Sequence, residues 1–182
     1  MLFIFVKNHL LAIPDIDDDD DDNRKNMYRI CDKIGRTKFY DSEIIRDIES
    51  AKINPNFDIN DGYWSILMQA ILWNREELVK YILTYSNIDV NTHAGGIMWG
   101  NIHIHILKLL LAHKDFDVNI QDRNGQTGLH YACARNNIEN VKELLLDARV
   151  NTLIRDNWGN TALDIAIRGG HHEIAKMLHS YY

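Results

Sequence analysis

Histidine and cysteine are the residue types in this chain that could bind a metal ion or act as a nucleophile. The 182-residue sequence contains nine histidines and two cysteines. A zinc site needs several such ligands at short spacings, and the sequence has no CxxC motif and no Cys/His cluster. His103 and His105 are two positions apart in a predicted helix and are expected to point to different faces, while His171 and His172 are adjacent. We therefore predict no metal site and no bound cofactor.

The two cysteines are not predicted to be catalytic. Cys133 follows Ala132 on a helix that is expected to turn inward, where a thiol acts as a small buried hydrophobic group. The sequence also lacks the G-x-S-x-G, P-loop, dinucleotide-binding and H-E-x-x-H motifs. We therefore predict that the protein is not an enzyme. Cys31 and Cys133 do not indicate a disulfide framework, and we expect an intracellular protein of the cytoplasm or nucleus.

Acidic residues are concentrated near the amino terminus. Residues 1–23 contain seven aspartates and one lysine, a net charge of −6, which equals the net charge of the whole chain. The run from Asp15 to Asp22 lacks the spacing, the turn glycine and the terminal glutamate of a calcium-binding loop. Repulsion between like charges therefore predicts a disordered segment over 1–23. The preceding apolar stretch is too short to span a membrane, and the neutral remainder lacks the cation excess that binds phosphate backbones. We expect neither a nucleic acid nor a membrane as partner.

The sequence repeats itself. The segment from Asp122 to Ala132 returns 34 residues later, from Asp156 to Ala166, with Asp, Gly, Thr, Leu and Ala at the same places in both copies. A second motif, Asp-(Ile/Val)-Asn, occurs at residues 58–60, 89–91 and 117–119, at steps of 31 and 28 residues. These spacings indicate a structural unit of about 33 residues.

Each unit carries the signals of a turn followed by two helices. Asp122 and Gly125 supply the side-chain acceptor and the backbone freedom that a tight turn needs. Thr127 stands where an N-cap hydroxyl can begin a short helix, and residues 139–145 place apolar side chains at the spacing of a longer second helix. Neither helix can bury its apolar side alone, so successive units are expected to stack.

These residues resemble the ankyrin repeat, whose pattern is D-x-x-G-x-T-P-L-H-x-A, followed by a second helix and a turn that reads Asp-Val-Asn. The resemblance implies an all-α fold, an ankyrin-repeat solenoid of helix-turn-helix units with short β-hairpin connections. It covers about residues 58–182, and the four predicted repeats are 58–88, a shortened and degenerate 89–116, 117–150 and 151–182. Residues 24–57 are predicted to form N-terminal capping helices, as a degenerate repeat.

The sequence departs from the family pattern at several positions. Gly128 and Ala162 replace the usual proline, Asp164 replaces the usual histidine, and Ala148 and Arg149 occupy the region of the helix-terminating glycine. The second unit has no T-x-L-H motif, so its first helix is expected to be short or irregular. The last helix keeps apolar residues, so either the terminal tyrosines cover that end or more repeats follow.

The resemblance implies a protein–protein interaction module. Members of the family bind partners mainly through the tips of their turns and the exposed side of the first helix, which form a concave face. The corresponding residues are Tyr63, Trp64, Leu72, Trp73, Arg123, Asn124, Gln126, Arg135, Asn157, Trp158, Asn160 and Arg168. The expected state is a monomer or a part of a hetero-complex with another protein. The alternative is the substrate-recognition or inhibitory subunit of an enzyme complex such as a ubiquitin ligase.

Two tryptophans lead this set of candidate contacts. Trp73 and Trp158 would be costly to expose without a partner, and tryptophan is enriched at the energetic centres of protein interfaces. There is a structural alternative for each of them. Trp158 could fold over the neighbouring turn, and Trp73 could fill the space left by the shortened second unit. The sequence leaves both interpretations open.

The resemblance also implies roles for three polar residues of the repeats. His130 occupies the family's histidine position, which implies hydrogen bonds within its unit and to the next one. Some ankyrin asparagines are substrates of an asparaginyl hydroxylase that favours a leucine eight positions upstream, and Asn91 with Leu83 and Asn119 with Leu111 fit this pattern. Alternatively, Asn91 and Asn119 only stabilise their turns.

Overall fold

The computed structural model of the chain describes residues 18–36, 38–52, 65–91 and 102–181. These ranges contain nine helices and no β-strand. In chain order the helices are α1 (Asp18–Ile34), α2 (Asp41–Ala51), α3 (Ile66–Leu72), α4 (Glu76–Ile82), α5 (Ile104–Leu111), α6 (Gly128–Ala134), α7 (Ile138–Leu146), α8 (Ala162–Arg168) and α9 (His172–Ser180).

The helices form pairs that stack in two layers. Within the pairs, α1 packs on α2, α3 on α4, α6 on α7 and α8 on α9. The second helices form a continuous row in which α2, α4, α5, α7 and α9 each contact the next, while α1 contacts α3 and α6 contacts α8 in the other layer. The prediction of an all-α solenoid of helix-turn-helix units is confirmed.

The predicted β-hairpin connections are tight turns in the described part of the chain. In the turn at residues 122–126, the Asp122 amide donates to the Gln126 carbonyl at 2.9 Å, and the Gly125 amide donates to the Asp122 carbonyl at 2.9 Å. These two backbone hydrogen bonds close the turn. They are not extended into the ladder of hydrogen bonds that defines a β-strand, so this described segment forms a turn without strands.

The first helices begin at the N-caps that the sequence predicts. Ser65 Oγ accepts a hydrogen bond from the Met68 amide at 3.2 Å before α3, and Thr161 Oγ1 accepts one from the Asp164 amide at 3.2 Å before α8. These bonds matter because the first N–H groups of a helix have no partner inside it.

Asparagine side chains connect successive units along the solenoid. Asn91 Oδ1 accepts from the Asp117 amide at 2.8 Å, and its Nδ2 donates to the Asp115 carbonyl at 2.7 Å. Asn119 repeats the arrangement one unit later, with the Asn151 amide at 2.8 Å and the Arg149 carbonyl at 2.8 Å. The recurring Asp-Val-Asn motif is therefore a device for joining neighbouring units.

Arg149 explains one departure from the family pattern. Asp147, the residue that follows α7, has φ −84° and ψ 114°, so the left-handed conformation that glycine favours is not used there. Instead, the Arg149 guanidinium donates to the carbonyls of Leu111, at 2.7 Å, and Phe116, at 3.1 Å. Leu111 is the last residue of α5, so Arg149 caps the preceding unit's helix.

Each described helix from α3 onward lies within one of the predicted repeats, but this placement does not test where each repeat begins and ends. Helices α3 and α4 lie within 58–88, α5 within 89–116, α6 and α7 within 117–150, and α8 and α9 within 151–182. The predicted first helix of the second unit would fall within residues 92–101, outside the described residues.

Helix α1 begins at Asp18, which corrects the prediction of disorder for residues 18–23. Acidic residues are favourable near the start of a helix, because the N-terminal end of the helix dipole is positive.

The apolar core lies between the two layers of helices. Fully buried side chains from successive units contribute to it, including Ile44, Leu78, Leu107, Val141 and Ile174. Among the described residues, none of the helices has the length and apolar character of a membrane span.

Candidate partner-binding surface

Two turns, at residues 122–126 and 156–160, are built in the same way around an aspartate. Asp156 Oδ1 accepts hydrogen bonds from the amides of Trp158, at 3.0 Å, and Asn160, at 2.8 Å. Asp122 Oδ1 accepts equivalent bonds from the amides two and four residues later, at 2.9 and 2.7 Å. Burial alone would raise the pKa of Asp156, but its hydrogen bonds from Asn160 and Trp158 outweigh burial and lower it. Both turns are therefore held in a defined shape by the hydrogen bonds to their aspartates.

The two turns also bind each other. The Asn157 amide donates to the Asn124 carbonyl at 2.9 Å, and Asn157 Nδ2 donates to the Arg123 carbonyl at 2.8 Å. Gly125, with φ +70°, allows this approach, because a Cβ there would lie 2.6 Å from Asn157 Oδ1. The backbones of Arg123 and Trp158 are thereby brought to adjacent tips.

His130 joins the helix behind one turn to the other turn. Its buried ring places Nδ1 at 3.2 Å from the Thr127 amide, which donates to it, so Nε2 carries the hydrogen and donates to the Asn160 carbonyl at 3.2 Å. The hydrogen bonds of His130 within its own unit and to the next unit, which the family resemblance implies, are confirmed. Asp164, at the same position one unit later, accepts from the Thr161 amide and hydroxyl, both at 2.8 Å, and these bonds lower its pKa.

Most of the predicted contact residues in these two units are accessible. Trp158 is 67% exposed, so it does not fold over the neighbouring turn. The side chains of Arg123, Asn124, Arg135, Asn157 and Arg168 are also exposed, while Gln126 and Asn160 are half-buried. Arg168 donates to the side-chain oxygen of Asn160, which orients the guanidinium at the end of α8.

The predicted contact residues of the first repeat are placed differently. Trp73 follows α3 and is half-buried, and its indole packs against Gly35 just after the end of α1. The indole is so close that a Cβ atom added at Gly35 would lie 3.3 Å from Cε2 of Trp73. This contact lies toward the N-terminal helices; the alternative that Trp73 fills space beside the shortened second unit involves residues 92–101, which lie outside the described residues. Leu72 also packs against the core. Tyr63 and Trp64 lie outside the described residues.

The sequence-based prediction missed Arg155 and Ile167. The Arg155 side chain is exposed, and its Nη1 donates to the Gly159 carbonyl at 2.6 Å, beside Trp158. Arg155 immediately precedes Asp156, the aspartate of the turn, and this position next to a predicted turn could have identified it as a candidate contact. Ile167 is 62% exposed although Cys133, 34 residues earlier, is fully buried between units.

Two structural observations concern the cysteines and histidines, for which the sequence predicts neither catalysis nor metal binding. Burial raises the pKa of the Cys133 thiol to about 12, so it is protonated near neutral pH. The prediction that His103 and His105 point to different faces is wrong: their rings stack, with centroids 6.3 Å apart. The reason is that His103 is the extended N-cap residue, before α5 begins at Ile104. In the described part of the chain, no group of three or more metal-binding side chains could hold a metal ion.

Hydroxylation of Asn91 and Asn119 stays a prediction. Both side chains form bonds that join units, which supports the alternative that they stabilise their turns. If they are substrates, intact-mass analysis after incubation with an asparaginyl hydroxylase should show one added oxygen per modified residue. An Asn91→Ala, Asn119→Ala variant is the control, and an unchanged mass of the native chain would remove the prediction.

The stacked helix pairs and rigid turns define a class of protein, a repeat solenoid with an accessible row of turn tips. A family model for three ankyrin repeats matches residues 97–182, and a single-repeat model matches residues 62–92. The chain belongs to the ankyrin-repeat family. Ankyrin-repeat domains generally bind other proteins and are generally non-catalytic, so this chain is a protein–protein interaction module.

Several known proteins are similar to parts of the chain. The mitochondrial liver isoform of glutaminase from Mus musculus is 39% identical over 66 residues, which cover 36% of this chain and 11% of that protein. Mitochondrial disaggregase from Bos taurus is 32% identical over 141 residues, covering 71% of this chain and 19% of that protein. A putative ankyrin repeat protein of Rickettsia bellii (strain RML369-C) is 38% identical over 65 residues, 36% of this chain and 61% of that protein. The chain thus matches only a small part of the two mitochondrial proteins.

Proposed function

We propose that the protein binds a partner protein through one surface, centred on Trp158. This surface, which we call the tip surface, consists of Trp158 and the exposed arginines at the two turns and at the ends of α6 and α8: Arg123, Arg135, Arg155 and Arg168. The observation that carries the proposal is the 67% exposure of Trp158 on a turn whose backbone is hydrogen-bonded on both sides.

The rigidity of the turns supports a binding role. Association loses free energy when loops must be ordered, and a preformed turn avoids most of that loss. Trp158 follows Asn157, which is bonded to the preceding turn, and its own amide is bonded to Asp156. Its indole is therefore presented from a fixed backbone, and tryptophan and arginine are the side chains that contribute most at interface centres.

The alternative role as a recognition or inhibitory subunit of an enzyme complex would use the same surface. The two roles differ in the identity of the partner: an enzyme component captured through the tip surface supports the alternative. A further recruiting motif would favour this alternative, and the 182 residues contain none.

The test is affinity capture from cell lysate with the native chain and a Trp158→Ala variant. We expect the variant to lose about 2 kcal/mol of binding free energy, roughly a thirtyfold weaker complex, because a central tryptophan is truncated. Its thermal stability should change little, because the indole is exposed. Trp73 is left unchanged, since its indole packs on the N-terminal helices.

Leu153→Ala provides the matched control for this capture. Leu153 is 63% exposed in the same repeat but lies outside the tip surface. Capture of the same partner by Leu153→Ala and not by Trp158→Ala supports the proposal. Equal capture by both variants would contradict it.

A further inference from the structure

The cations of the tip surface are all arginines. No lysine occurs in residues 121–136 or 155–171. Two of the arginines bond mainly to neutral groups: Arg155 donates to the Gly159 carbonyl at 2.6 Å, and Arg168 donates to the Asn160 side chain. A carbonyl or amide oxygen orients a guanidinium without neutralising its charge. Arg155 also forms a long ion pair with the exposed Asp164 carboxylate, at 4.0 Å.

The charges on the layer of second helices are arranged differently. There, Lys80 pairs with Glu77 at 2.8 Å, Lys108 with Glu143 at 3.4 Å, and Lys142 with Glu173 at 3.5 Å, so each of these cations has a carboxylate partner. The five second helices contain nine Asp and Glu against five Lys and Arg, so that layer carries a net charge of −4. The two sides of the solenoid therefore present different electrostatic surfaces.

The aspartates next to the tip surface are engaged by their own units. Asp122 and Asp156 accept amide hydrogen bonds inside the turns, and Asp122 Oδ2 also accepts the Tyr131 hydroxyl at 2.8 Å. Burial and Asp122 raise the pKa of Tyr131, and the charge of Arg135 opposes this rise. The two segments that form the tip surface, 121–136 and 155–171, thus contain four exposed arginines against the three aspartates Asp122, Asp156 and Asp164, an excess of one positive charge.

We propose that the partner segment bound by the tip surface is acidic, with aspartate or glutamate side chains on either side of an apolar residue. The carboxylates bind Arg123, Arg135, Arg155 and Arg168, and the apolar residue packs on Trp158. The planar guanidinium matches a carboxylate with two parallel hydrogen bonds, which an ammonium group cannot form. This inference rests on the proposed function, since it assigns the chemistry of the partner at the same surface.

A photo-cross-link identifies the segment that contacts the surface. p-Benzoylphenylalanine is placed at position 158 of the full chain, and at position 153 as the control, and the cross-linked peptides are identified by mass spectrometry after capture. We expect position 158 to cross-link to a segment of another protein with net negative charge. Cross-links from position 153 alone would overturn the proposed function. A neutral or basic segment, a nucleic acid, or the chain's own residues 15–22 at position 158 would overturn the acidic-partner inference alone.

A charge series then tests whether the arginines carry the recognition. The cross-linked segment is synthesised with its native residues and with all Asp and Glu replaced by Asn and Gln, and its affinity is measured by fluorescence anisotropy at several salt concentrations. The triple variant Arg123→Gln, Arg135→Gln, Arg155→Gln should bind the native peptide about tenfold more weakly or worse, and with a shallower dependence on salt. The peptide with Asn and Gln in place of Asp and Glu should bind the native chain with a similar loss of affinity.

The matched control removes the same number of charges from the second helices. Lys108→Gln, Lys142→Gln, Lys176→Gln should change the affinity by less than about twofold, because these exposed groups lie on the other layer. Circular dichroism verifies that both triple variants are folded. Equal losses in the two triple variants, or tight binding of the amide peptide, would overturn the inference.

Discussion

Replacing Arg75 with alanine is expected to lower the free energy of unfolding by about 2–4 kcal/mol, because several carbonyl groups and a carboxylate lose a shared donor. The Arg75 side chain is 15% exposed and links the start of α4 to the end of α1. Its Nε donates to the Ile34 carbonyl at 3.1 Å, and its Nη2 donates to the Arg36 carbonyl at 2.6 Å. Its Nη1 donates to the Phe39 carbonyl at 2.8 Å and to Asp41 Oδ1 at 3.2 Å.

Arg75→Lys should recover little of this loss. A lysine ammonium is a single point of charge and cannot reach acceptors spread over the loop from Ile34 to Asp41 in the way that the guanidinium fork does. Urea unfolding measures the stability of both variants, and hydrogen exchange should show lost protection in α1 and α2 first. Arg46→Ala, an exposed arginine on α2, is the control. Native stability and native protection in Arg75→Ala would contradict the role of Arg75 as the link to the N-terminal helices.

Leu107→Ala is expected to cost about 2–5 kcal/mol, the range for a large-to-small change in a packed core. Leu107 is fully buried in α5, which contacts α4 on one side and α7 on the other. Repeat arrays unfold as one unit only while the interfaces between neighbours are strong. Weakening α5 should therefore also separate the unfolding of α1–α4 from that of α6–α9.

The measurement for Leu107→Ala is urea unfolding followed by hydrogen exchange of the two groups of helices. We expect α6–α9 to stay protected at urea concentrations where α1–α4 exchange freely, or the reverse. Lys108→Ala, whose side chain is exposed and pairs with Glu143, should change stability by less than about 0.5 kcal/mol. A single transition at the native midpoint for Leu107→Ala would show that α5 does not couple the two parts.

These two substitutions also separate stability from binding. Arg75 and Leu107 lie in the N-terminal and central units, whereas the tip surface is formed by the two units that follow. Molecules of Arg75→Ala that remain folded over α6–α9 should therefore bind the partner of the tip surface with native affinity. The Trp158→Ala variant should show the opposite behaviour, with native stability and weakened binding.

The sequence by itself determined the repeating unit, the capped starts of α3 and α8, and the turns of this protein. These features depend on groups that are close along the chain. Asp122 accepts from amides two and four residues later, and Ser65 and Thr161 accept from amides three residues later. Such short-range bonds form in nearly the same way wherever the residues occur at that spacing, so residue type and spacing were sufficient to predict them.

The tertiary structure alone decided which of these side chains face solvent and which join units. Trp73 and Trp158 were equivalent candidates in the sequence, yet one packs on Gly35 and the other is exposed. The acceptors of Arg75 lie 34 to 41 residues away, and the buried Asn140 amide donates to the Ile102 carbonyl, 38 residues away, at 3.0 Å. Burial and long-range hydrogen bonds depend on which surfaces meet when the units stack, and spacing along one unit carries no information about the neighbouring unit's surface.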